Sequence, residues 1–169
     1  MANAKLAHPK IEPRIEKARA LNIVGLRNHH NFDDHMFVAL ARQWEEFGPM
    51  IPGVANPKGH AAFGLCFDMT ADKKSFDYLT GVEVTTLDAV KKPFAGVTLP
   101  PKTYAVFPHE GHVSRLNETV GVAWDWLPKS GRLPDCDDAT EPTFIEHYGE
   151  KFDPETGFGD IEVWFPVKA

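Results

Sequence analysis

The run DIEVWFPV at 160–167 alternates between apolar and other side chains. Successive side chains of a strand point to opposite faces, so Ile161, Val163, Phe165 and Val167 share one face and are expected to pack under helices. Glu162, Trp164 and Pro166 then share the other. A carboxylate beside an indole suits a cationic, partly aromatic guest, because the acid and the ring face both attract positive charge. Cation–π contacts contribute roughly 0.5–2 kcal/mol, so the acid has to carry much of the selectivity. A second acid, Glu83, shares a face with Leu79 and Gly81, opposite Tyr78, Val82 and Val84. The repeat described below places it in a position like that of Glu162. Tyr104, Phe107, Tyr148 and Phe63 are available as further aromatic lining. The competing reading of each glutamate is a solvated acid on the free face of an antiparallel sheet. Trp164 argues against it for Glu162, since a large indole on a polar face calls for a partner or a pocket. Glu83 has no such neighbour, and there the competing reading is the stronger.

Other chemistry-bearing clusters carry less. His29, His30 and His35 surround Asp33 and Asp34, but their spacing matches no metal motif, and a polar strand-to-helix turn accounts for them. His109, Glu110 and His112 occupy the corresponding turn later in the chain. No metal and no cofactor is expected. No nucleophile elbow, phosphate loop or dinucleotide fingerprint occurs. The two cysteines, Cys66 and Cys136, lie in neither a CxxC nor a zinc spacing and are expected to be free thiols.

The elements that must position Glu162 and Trp164 form a repeat. Apolar positions at Ile15, Ile23, Val24 and Leu26 lead into His29 and His30, and a similar strand-like run over 103–112 leads into His109 and His112. Phe37, Leu40, Ala41, Trp44 and Phe47 then recur at helical spacing, with Asp33 or Asp34 as cap and Gly48-Pro49 as stop. Leu116, Val120, Ala123, Trp124 and Leu127 repeat the pattern, with Ser114 as cap and Pro128 and Gly131 beyond the end. Strand-like runs at 61–69 and 78–85 follow the first helix, and runs at 144–152 and 160–167 follow the second. Both halves read βαββ, about 12–86 and 102–168, joined by a Lys- and Pro-rich linker at 87–101. The expectation is an α+β fold in which two pseudo-symmetric βαββ units form an antiparallel sheet with two main helices and a central ligand groove. One half alone buries too little apolar surface to be stable, so 1–169 is read as a single domain.

Bulk properties narrow the function. With 43% hydrophobic and 25% charged residues among 169, the composition is that of a folded globular protein. A net charge of −6 disfavours direct nucleic-acid binding and favours cationic partners. The start of the chain lacks the apolar core of a secretory signal, and no long apolar run suggests a membrane span, so a cytoplasmic protein is expected.

The runs RQWEEFG at 42–48, AFGLCF at 62–67, FDYLTGVEV at 76–84, YAVF at 104–107 and DIEVWFPV at 160–167 resemble, in order and separation, the GyrI-like family, also known as the AraC-type bacterial effector-binding domain. The resemblance spans about residues 12 to 168. It implies paired βαββ motifs around a groove that binds small molecules, often cationic or amphiphilic drugs, with a glutamate on the final strand, here Glu162, at the ligand. Some relatives carry a helix-turn-helix domain and regulate transcription, whereas the residues before the first strand are too few to hold one. The expectation is a stand-alone binder that senses or sequesters a cationic ligand in a groove lined by Glu162, Trp164, Glu83, Tyr104, Phe63 and Tyr148. Two alternatives stand beside it: a hydrolase of strained electrophilic small molecules with Glu162 as general base, and a modulator of a DNA-processing enzyme such as gyrase. Whether the chain acts as a monomer or a homodimer is left open.

Overall fold

The computed structural model describes residues 11–69, 74–136 and 140–169, so the extreme N-terminal run read above lies outside the described residues. The elements in order are β1 (Arg14–Ala18), β2 (Leu21–Asn31), α1 (Met36–Phe47), β3 (Pro57–Phe67), β4 (Ser75–Val84), β5 (Ala95–Leu99), β6 (Lys102–His109), α2 (Leu116–Trp126), β7 (Pro142–Tyr148) and β8 (Ile161–Val167). The strands form one eight-stranded antiparallel sheet in the order β1-β6-β8-β7-β3-β4-β2-β5. The two expected βαββ units are both present, and they meet where β3 pairs with β7.

Two features depart from the sequence reading. The leading strand expected over 12–30 is two strands, and the expected linker at 87–101 contains β5. Each short extra strand pairs across the molecule: β1 runs beside β6, and β5 beside β2. Neither strand has a strong signature, because both are short edge strands in which only Leu99 is buried. The Arg19-Ala20 turn between β1 and β2 also contains no Gly or Pro to mark the break.

The two faces of the sheet are buried in different ways. On the outer face, Phe107, Phe144, Val163 and Phe165 pack with Leu116 and Ala123 of α2, and Leu40 and Trp44 of α1 join the same cluster. Each large apolar side chain fully buried here contributes about 1.5–3 kcal/mol. On the inner face, Leu21, Ile23 and Leu99 from one end of the strand order share a cluster with Tyr104 and Val106 from the other, and every buried member is a strand residue. A sheet can bury its own face like this only by curling, which makes it a half-barrel with the helices outside.

Capping departs from expectation at both helices. Neither Asp33 nor Asp34 caps α1 as expected: the N-cap is His35, without a side-chain cap, and Asp33 only accepts the His35 N–H at 2.9 Å in the turn before it. Ser114 does not cap α2; it lies in a short 3-10 turn, and its backbone N–H donates to His112 Nδ1 at 3.1 Å. Neither cysteine is in a disulfide; Cys66 is buried, and the Cys136 thiol donates to the Glu141 carbonyl at 3.4 Å. Among the described residues no helix is long and apolar enough to cross a membrane, and no group of three or more His, Cys, Asp or Glu could hold a metal ion.

One buried polar side chain fastens α1 to the sheet. Gln43 is 2% exposed, and its Nε2 donates to the carbonyls of Leu26 and Tyr78, each at 2.9 Å, while its Oε1 lies 2.6 Å from His30 Nε2. His30 is therefore a structural partner of Gln43. Replacing Gln43 with Leu removes the partners of two carbonyls and a ring nitrogen and is expected to cost about 1–3 kcal/mol. Urea denaturation followed by circular dichroism measures the loss.

Candidate functional site

The inner face brings together four of the six expected site residues. Trp164 lies 5.6 Å from Tyr104 and 6.1 Å from Phe63 between ring centroids, and its indole N–H donates to Glu162 Oε1 at 3.3 Å. Strand alternation in β8, β6 and β3 produces this grouping, since Glu162, Trp164, Tyr104 and Phe63 all have the inward parity. Two neighbours were not legible in the sequence. His147 stacks on Trp164 at 4.8 Å, with Nδ1 buried, outside hydrogen-bonding reach of any partner and 3.5 Å from Glu162 Oε1. Arg14 reaches from β1 across β6 and pairs with Glu162 Oε2 at 2.5 Å. The contact with His147, opposed by partial burial and reinforced by Arg14 and the Trp164 indole, brings the Glu162 carboxyl down to about 2. A carboxylate held so low is a weak base at neutral pH.

Glu83 lies on the same face but does not mirror Glu162. Gly25 and Val106 are equivalent, each facing the first residue of the other half's edge strand, Ala95 and Arg14 respectively. Two residues further on, Arg27 faces Leu79 and Pro108 faces Glu162, so Leu79 occupies the mirrored position. Glu83 accepts from both terminal nitrogens of Arg19, at 2.5 and 3.0 Å, with Lys58 at 3.5 Å. Burial pushes its carboxyl up, but Arg19 and Lys58 outweigh that and leave it below the ordinary range.

Tyr148, the sixth expected residue, faces the other way. On β7, Phe144, Glu146 and Tyr148 point outward under the helices while Ile145 and His147 point inward. Tyr78 donates to Glu146 Oε1 at 2.6 Å and Tyr148 donates to the same oxygen at 3.0 Å, while the Trp44 indole N–H of α1 donates to the Tyr78 hydroxyl at 2.9 Å. Trp44 stands edge-on to Tyr148 at 5.3 Å, and Phe152 lies 5.0 Å beyond that ring. The space for this arrangement comes from Gly64, directly opposite Glu146 in β3: a Cβ there would stand 2.6 Å from Glu146 Oε1 and collide with the Tyr78 hydroxyl. Among the described residues Glu146 has no cationic partner. Burial raises its carboxyl above the usual range, and the two tyrosine hydrogen bonds only partly offset this. Glu146 was missed in the sequence although the signal existed, an acid with the same parity as Phe144 and Tyr148.

The structure therefore holds two kinds of acid. Glu162 and Glu83 are ionised and already neutralised by arginines, whereas Glu146 is a desolvated acid enclosed by Tyr78, Tyr148 and Trp44. A buried charge without a charged partner is costly, which is why the Glu146 carboxyl is raised.

The comparisons agree with this architecture. Residues 11–168 match the family model described as GyrI-like small molecule binding domain, and the chain belongs to that family. Among solved structures it resembles SAV2435 bound to tetraphenylphosphonium, with a TM-score of 0.72 and 20% identity over 94% of this chain and 95% of that one. A putative bacterial transcription regulation protein from Staphylococcus aureus MU50 gives 0.68 and 20%, covering 94% and 99%. The EcmrR C-terminal domain gives 0.68 and 17%, covering 94% and 98%. At these identities the likeness speaks for the fold alone. No curated protein sequence matches the chain significantly.

The two acids are expected to titrate on opposite sides of the ordinary carboxylate value of about 4.3. The folded value of Glu162 is depressed, so its stabilisation is present above the unfolded value and is lost as pH falls toward about 2. The folded value of Glu146 is raised, so its protonated form supports the fold at low pH and that contribution is lost as pH rises through the raised value. Carboxyl carbon NMR resolves the two midpoints, and Arg14→Gln is expected to move only that of Glu162, upward.

Proposed function

We propose that this chain is a binding protein for lipophilic cations, which it senses or sequesters, and that Glu146 is the acid that receives them. The observation that carries this reading is a largely buried carboxyl group, hydrogen-bonded by Tyr78 and Tyr148 with Trp44 bonded in turn to the Tyr78 hydroxyl, and with no cation of the protein paired with it among the described residues. A delocalised cation bearing aromatic rings supplies the missing charge and packs against the indole and phenol faces. Family membership supports small-molecule binding, and a structural neighbour holds tetraphenylphosphonium, a cation of this kind.

A second reading places the guest on the inner face at Glu162, with Trp164, Tyr104 and Phe63 as aromatic lining and Glu83 further along. The stacked rings around Trp164 favour it. A cation entering there has to displace Arg14 from an existing ion pair, so much of the attraction is already spent. Glu146 makes no such demand.

Tetraphenylphosphonium titrated against tryptophan fluorescence separates the two. Glu146→Gln is expected to weaken binding about tenfold or more, the effect of losing a poorly solvated opposite charge, while Glu162→Gln stays within about twofold. The reverse ranking assigns the guest to the inner face, and failure of the wild type to bind ends both readings. A cation binds the ionised form of Glu146, so affinity is expected to fall as pH drops through its raised value, measured by repeating the titration over a series of pH values.

A further inference from the structure

At the β2–β5 end of the sheet, the connection from β4 to β5 folds against the 3-10 turn Gly48–Gly53 and encloses a cavity of about 350 Å³. Its apolar lining includes Val24, Val90 and Phe94, with the small side chains of Ala55 and Ala89 beside them. Phe94 is held by Phe47, edge-on at 6.3 Å, so this wall is part of the packed core. Gly53, Thr86, Lys91 and Lys92 complete the lining. Both lysines are exposed, and neither forms an ion pair among the described residues. Asp88, the acid nearest in sequence, is not among the lining residues; its N–H is turned onto the Thr86 hydroxyl at 3.2 Å.

In a chain of net charge −6, two adjacent lysines with no acidic partner among the described residues beside an apolar hollow are a local reversal of sign. The volume is at the lower end of small-molecule sites, which run roughly 300–1,000 Å³. No arginine lines the cavity to offer a planar fork, so it is poorly suited to bidentate capture of phosphate, and lysine ammoniums act as point charges that a single carboxylate can satisfy. The apolar wall in turn rewards a hydrocarbon tail and penalises a fully hydrated anion. We propose that this cavity binds a free, unbranched aliphatic carboxylate of medium chain length, its head between Lys91 and Lys92 and its tail against Val24, Val90 and Phe94. The site is separate from Glu146 and selects the opposite charge.

Methyl NMR of the full chain titrated with decanoate, kept below its aggregation concentration, tests the assignment. Saturable shifts are expected at the Val24 and Val90 methyls. The double variant Lys91→Met/Lys92→Met, which keeps the aliphatic stems, should weaken decanoate about tenfold, as expected for losing two partly exposed charge contacts. Ala55→Trp, which fills the cavity, should abolish the saturable shifts, and Glu146→Gln should leave them unchanged. Equal saturable shifts with decyltrimethylammonium, or undiminished decanoate binding in the double lysine variant, would overturn the proposal. If Ala55→Trp loses its methyl dispersion and so its fold, the exposed lysine variant alone decides.

Discussion

The pairing of β3 with β7 is the constraint on which the rest of this molecule depends. It fuses two four-element halves into one sheet, and its register places Gly64 directly opposite Glu146. Only a residue without a Cβ leaves room there for a carboxylate and a tyrosine hydroxyl to meet. The exchange of edge strands reinforces the junction, because β1 completes the second half and β5 completes the first. A half on its own would present unpaired backbone along an edge and too little buried apolar surface to be stable.

The same topology distributes charge unequally over the two faces. Arg14 and Arg19, from β1 and the turn after it, reach Glu162 and Glu83 on the inner face, so both acids there are neutralised within the chain. These arginines are about half exposed, and such pairs contribute little to stability, on the order of 0–1 kcal/mol. What they do is hold the inner acids ionised and occupied. On the outer face, Glu146 receives only neutral donors among the described residues. Hydrogen bonds from phenols stabilise a buried carboxylate less than a cation does, and the difference is what an incoming cation can supply.

Much of the architecture was readable in the chain, for reasons that differ by element. The helices announced themselves through Leu40, Trp44 and Phe47 and through Leu116, Val120 and Ala123, because a two-sided helix must repeat its apolar face. The alternation of β8 correctly separated Glu162 and Trp164 from Val163 and Phe165, since strand parity is a local property. β1 and β5 were not readable, because a short exposed edge strand is defined by its partner, and each partner belongs to the other half. The similarity of Glu83 to Glu162 in sequence was misleading for a related reason: the offset between halves is not constant, and only the strand registers show that Leu79 holds the mirrored place.

The sequence by itself determined the two helices, the parity of β8 and the near-duplication of the halves, since these follow from backbone periodicity and the burial of apolar side chains. Tertiary structure alone decided which acid, among the described residues, has hydrogen bonds but no cationic partner. Tyr78 meets Glu146 across a separation of 68 residues, and Arg14 meets Glu162 across 148. Strand alternation assigns each of these residues to a face, but which partners stand beside it there is set by strand order and register, and those arise from packing contacts that no local stretch of chain contains.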